Sequence, residues 1–251
     1  ATTGAITDAN GIGNNITAVG LTALAALGID LDTTVTNLTA TNTGLGNINL
    51  DELDSANVLN VAATNGNATV TSATGDLNIT LMSASGTATL TATAGNITDA
   101  GNDTVTDVTG NIVLMTAGGD IGQVGNLHID TAANSLTTSS NSAVVAGTHG
   151  TWINEVDAVT VTSATTTDGV IVITSGGTQT DTLVNAGGTN RNVLLRTTAG
   201  DIVLGLVTAT GDGVRLDSAA GVTDGDVVDD NDIDATNLSI SAVTGVGSAA
   251  A

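Results

Sequence analysis

The chain has 251 residues, 41% of them apolar, with one Trp, no Phe, Tyr, Pro or Cys, and a formal net charge of −22. Arg191, Arg196 and Arg215 are its only Arg and it has no Lys, so it lacks the clustered cations by which duplex nucleic acid or an anionic membrane surface is bound. Charged residues are 11%, far below the ~25% of ordinary domains, yet the apolar content is too high for a disordered acidic tail.

The N-terminal ATTGAITDAN has neither a basic leader nor an apolar core, so no signal peptide is expected from it. The longest apolar stretch, Leu21 to Leu31, is shorter than the ~20 residues of a membrane span, and no membrane insertion is expected. From Gly46 a unit recurs: Gly, then Asn or Asp, then two aliphatics flanking a variable residue. It appears at Gly46–Leu50, Gly75–Ile79, Gly110–Leu114, Gly125–Ile129 and Gly200–Leu204. Gly reaches positive φ freely and Asn or Asp tolerates the left-handed region, so the pair reads as a sharp corner. After each corner the pattern alternates with period two, as in Thr87–Ala94 (TATLTATA) and Ala158–Thr165 (AVTVTSAT), which predicts strands with one set of side chains inward and a Thr set outward.

Gly46 to Asn65 and Gly66 to Ser85 are blocks of equal length, and Gly86 to Thr109 and Gly110 to Asn134 are somewhat longer. Two or three short strands per block, repeated at this spacing, predict an all-β fold: a parallel β-helix, or β-solenoid, of about 20–25 residues per coil. About eleven coils at ~4.8 Å each make a rod near ~50 Å long. An antiparallel β-sandwich is the alternative for such alternating strands, but it has no reason to repeat at so short and regular a spacing.

A longer repeat overlies the coils. GAITDANG at Gly4–Gly11 returns as GNITDAGN at Gly95–Asn102 and as GVTDGD at Gly221–Asp226, and Gly75–Gly86 aligns without a gap on Gly200–Gly211. The expectation is a single solenoid over 1–251, with long repeats at 4–94 and 95–220 and the start of a third at 221–251. The segment Ser175 to Arg191 is extra, a loop or an added coil.

Residues able to carry chemistry are few. His128 alternates within a strand pattern and His149 sits in the Gly-rich AGTHGTW, neither with metal-ligand partners at useful spacing. Glu52 and Glu155 occupy equivalent repeat positions and form an acid–base pair only if coiling brings them within several ångströms. Trp152 reads as the plug of a gap, a loop base or an interface. The acidic run Asp224–Thr236 places Asp230, Asp232 and Asp234 at the alternate spacing of the first ligands of a calcium loop. Ala235 and Ser241 then stand where an EF-hand needs Gly and Glu, which leaves only a looser calcium site shared by neighbouring turns as the expectation. No other cofactor is expected, and no catalytic residue is assigned.

The GDI-x-L and TAG-[DN]-I runs, together with the Ala/Thr/Asn/Gly/Asp bias and the scarcity of aromatics, resemble the repeat regions of giant bacterial surface proteins of the filamentous-haemagglutinin-like and autotransporter adhesin type. That resemblance implies a right-handed parallel β-helix forming the extracellular, cell-surface shaft of an adhesin or filament. Its partners are then neighbouring solenoid segments or further copies stacked end to end, and host, cell-surface or matrix components. A carbohydrate-active β-helix enzyme fits less well, because such enzymes present aromatic platforms and basic residues. An ice-binding solenoid needs a flat Thr array on coils of constant length, which these are not.

Overall fold

The computed structural model describes residues 1–125, 127–142, 148–189, 191–226 and 231–247. Among them there are twenty strands and no helix, so none is long and apolar enough to cross a membrane. In chain order the strands are β1 (Ile16–Ala25), β2 (Ile29–Leu45), β3 (Ile48–Glu52), β4 (Ala56–Asn65), β5 (Ala68–Ser72), β6 (Leu77–Ile79), β7 (Met82–Ala84), β8 (Thr87–Ala92), β9 (Ile97–Asp99) and β10 (Val108–Ala117). They continue with β11 (Ile129–Ser140), β12 (Gly150–Glu155), β13 (Val159–Thr166), β14 (Val170–Ser175), β15 (Gln179–Ala186), β16 (Val193–Thr197), β17 (Ile202–Ser218), β18 (Gly221–Asp224), β19 (Ile233–Ala242) and β20 (Gly245–Val246).

Pairing is parallel throughout and joins each strand to its counterpart one coil away, which is the expected β-solenoid, here of about 10 turns rather than eleven. The sandwich alternative is overturned, since hairpin-joined sheets need antiparallel ladders. A regular coil has three faces: β5 leads to β6 and β7, and β8 then returns onto β5 with Ala68 opposite Ala88. Further along, β12 runs two of these faces together as one strand, pairing with β11 at Ile153 and with β14 along its length. The described part of the extra segment, residues 175–189, resolves as an added coil, because β15 is stacked between β13 and β17.

Register makes the core a set of vertical files. Ile29, Ile48, Ala68, Ala88, Val113, Leu136 and Val161 succeed one another on one file, and Leu31, Leu50, Val70, Leu90 and Met115 on the next but one. All of these are buried, at roughly 1.5–3 kcal/mol for each large aliphatic. Because the side chains alternate, the Thr between them remain on the outer face.

The corners work differently from the sequence expectation. The Asn or Asp after the glycine does not adopt a left-handed backbone; Asn102 is the one non-Gly residue of positive φ among the described residues. Instead its side-chain oxygen accepts the backbone N–H of the next coil: Asn47 from Asn67, Asn67 from Thr87, Asp76 from Asn96 and Asn96 from Asp120. The glycine is required at Gly46 by φ 122°, but at Gly95 by space, since a Cβ there would lie 2.2 Å from the Gly75 carbonyl oxygen. On a side face the amides also stack, Asn57 donating to Asn37 and Asn78 donating to Asn57.

Candidate functional site

The most concentrated polar chemistry lies where the regular coil is broken. On one file Leu38, Val58 and Ile79 are followed by Asp99, so a carboxylate takes an aliphatic position at the end of β9. The chain then makes an excursion over residues 100–107 before β10 rejoins the stack at Val108, opposite Met82. That excursion delivers Asp107 beside Asp99, and the coil above adds Asp130 from β11.

One carboxylate oxygen from each of Asp99, Asp107 and Asp130 lies within 4.8 Å of the others, and the three residues are only 7%, 3% and 8% exposed. Asp99 accepts from the backbone N–H groups of Gly101 at 2.6 Å and Asp103 at 3.2 Å, while Asp107 accepts from that of Asp130 at 2.9 Å. Burial, which the Asp130 backbone bond only partly offsets and the Asp99 and Asp130 charges reinforce, pushes Asp107 up to about 8. Burial likewise pushes Asp130 up to about 6, against a side-chain bond from Asn154.

No arginine relieves this cluster. Arg191 bonds Asp168, and Arg196 and Arg215 both bond Asp217. Beyond the backbone N–H groups and Asn154, the described residues bring no side-chain cation to these carboxylates. Oxygens bound to one Ca²⁺ at 2.3–2.6 Å lie at most about 5 Å apart, so the spacing suits a hard cation with oxygen ligands. Beside the cluster, Thr104, Thr106, Asp130, Asn154 and Glu155 line a small cavity of about 80 Å³.

Glu52 and Glu155 have the same local role in two places. Each accepts from a Thr hydroxyl in the preceding coil, Thr33 or Thr131, and from the backbone N–H two residues further on, Val35 or Ala133. Burial raises Glu52 and pushes Glu155 up to about 7 despite these bonds. The rungs of β5, β8, β10 and β11 separate them, about 20 Å or more at ~4.8 Å per rung, so they do not form an acid–base pair.

Of the run expected to bind calcium, Asp230 lies outside the described residues. Asp232 joins Asp224 and Asp226, with ligand oxygens within 4.8 Å of one another, whereas Asp234 accepts from the Thr210 hydroxyl at 2.9 Å. The grouping across β18 and the approach to β19 was not legible in the alternate spacing of the run. His128 is bonded to Asn154 at 3.0 Å, and burial lowers its pKa. His149 pairs with Asp120 at 2.7 Å in a cleft of about 450 Å³ that Asn96, Gln123 and Ser142 also line. The other Asp120 oxygen accepts from the Gly150 N–H, so this carboxylate closes a corner as well as orienting the imidazole. Trp152 is 3% exposed, but it lies between the inward-facing Thr151 and Ile153 and so is buried on the side of β12 opposite the aliphatic core.

No protein-family model matches the chain, and no curated protein or solved structure matches it.

Proposed function

We propose that this chain is a structural, non-catalytic β-solenoid that serves outside the cell as the shaft or filament subunit of a bacterial surface adhesin or matrix fibre. The observation that carries the reading is the continuous axial ladder: parallel backbone bonds link every rung from β1 to β20, so tension along the rod is shared by many hydrogen bonds. The absence of Lys and the three Arg, each engaged by an Asp, leave few sites for trypsin-like proteases, which suits an exposed fibre.

Its partners in this reading are neighbouring solenoid segments or further copies stacked end to end. The outer edges of β1 and β19 carry the backbone groups that such pairing uses, and exposed Val19, Leu238 and Val243 lie on those two coils. Calcium is an accessory that neutralises carboxylates, with the oxygen-only ligands a hard cation prefers.

Negative-stain imaging of the purified chain, with and without calcium, tests the proposal. Long fibres support a filament subunit, and isolated rods near ~50 Å support a shaft segment of a larger adhesin. A compact particle with no axial dimension of that size contradicts both.

A further inference from the structure

One rung of the C-terminal half has polar residues where its neighbours have aliphatics. On β15, Asp181 stands between Val161 and Leu204 of the flanking coils, and Gln179 between Val159 and Ile202. All four neighbours are core residues; Gln179 is 0% and Asp181 1% exposed. Gln179 Nε2 donates to Asp181 Oδ1 at 2.9 Å and approaches Oδ2 at 3.2 Å. Gln179 Oε1 is buried without a hydrogen-bond partner.

The hydrogen-bond inventory decides which protonation state this pair favours. A carboxylate is acceptor-only, so an ionised Asp181 can do nothing for the orphan amide oxygen, and a buried acceptor without a donor is destabilising. A carboxylic acid and a primary amide are complementary: the amide N–H serves the acid carbonyl and the acid O–H serves the amide oxygen. A proton on Asp181 removes the buried charge and, once the amide turns to present Oε1 to the carboxyl group, provides the donor that Oε1 lacks.

We propose that this pair is a proton-held latch: in the assembled solenoid Asp181 is a carboxylic acid sharing its proton with Gln179, and losing that proton loosens the rung built by β15. The surroundings offer no alternative compensation. β13 and β14, packed against β15, carry no titratable side chain, and β17 carries Asp212, Arg215 and Asp217 only beyond the stretch that pairs with β15. Arg215 and Asp217 are bonded to each other. Burial, opposed only by the Gln179 bond, accordingly pushes the Asp181 carboxyl up to about 7. The inference holds whether or not the chain is a surface shaft.

The test uses the full ¹³C,¹⁵N-labelled chain, following the Asp181 carboxyl shift and amide exchange of β15 from pH 4 to 9, with exchange corrected for base catalysis. The acid form persists past pH 6, and the opening constant of β15 rises by up to about tenfold per pH unit until the carboxyl titrates, more than that of β5. In Asp181→Asn and in Asp181→Leu, which restores the aliphatic file, this extra pH dependence of β15 disappears. A carboxyl midpoint near 4, or β15 exchange no more pH-sensitive than that of β5, overturns the proposal. So does retention of the wild-type response in both variants, and the wild-type carboxyl titration decides alone if neither variant folds.

Discussion

The rungs of β3, β5 and β8 and the rungs of β9 to β11 are built on one plan and differ in what stands on the inner files. In the first set Leu50, Val70 and Leu90 succeed one another, partners keep the same separation along the chain at both steps, and the interior holds no carboxylate except Glu52 at its edge. In the second set Asp99 takes the place of an aliphatic, the step from Ala88 to Val113 is longer than that from Ala68 to Ala88, and three carboxylates meet under cover. Constant coil length thus accompanies an intact aliphatic file. Where Asp99 interrupts it, the chain spends extra residues that supply N–H donors from Gly101 and Asp103.

Breaking the regular region produces the largest effects. Leu90→Ala removes a fully buried side chain between Val70 and Met115 and is expected to cost about 2–5 kcal/mol in denaturant unfolding. Gly95→Ala drives a Cβ to 2.2 Å from the Gly75 carbonyl oxygen, and since both sides are backbone the loss is about 3 kcal/mol.

The acidic region responds in the opposite sense. Asp107, Glu155 and Asp130 have folded values of about 8, 7 and 6, all above their ordinary range, so the folded chain keeps protons that the unfolded chain has released. Stability contributed by these groups is therefore greatest below about pH 4, falls as pH rises from about 4 to 8, most steeply before the first of the folded carboxyls titrates near 6, and levels off above. A melting series should show the midpoint dropping across that window. Asp107→Asn keeps the acceptor for the Asp130 N–H while removing the charge, so at pH 8–9 it should gain about 1–3 kcal/mol and flatten the profile. The smallest effect belongs to Asn57→Ala, which interrupts the Asn37–Asn57–Asn78 amide stack at a cost of about 0.5–1.5 kcal/mol by the same melts.

The all-β solenoid, its coil length and its inward residues were legible because period-two alternation and Gly-Asx corners are local signals. The work done by the corner Asn and Asp was not. The N–H that Asp76 accepts belongs to Asn96, one full coil further along the chain, and one sequence shows no such partner until the register is known. The Asp99–Asp107–Asp130 cluster was missed for the same reason, although a trace existed: in LNI and ITD, the segments of β6 and β9, Asp99 falls on the inward parity that Ile79 occupies. Gln179 and Asp181 share the inward parity of their strand in the same way, within a segment whose Gly, Thr and Asn content reads equally as a loop or an added coil.

In-register stacking is tested most directly by cross-linking in a chain that has no cysteine of its own. Thr69 and Thr89 are register partners on the outer faces of β5 and β8, and parallel neighbours sit at ~4.8 Å, within disulfide range. The double variant Thr69→Cys/Thr89→Cys should close its disulfide on mild oxidation under native conditions, while Thr69→Cys/Thr91→Cys, two residues out of register, should lag far behind. Equal rates for the two pairs, or faster closure of the second, would contradict the stacked-rung architecture.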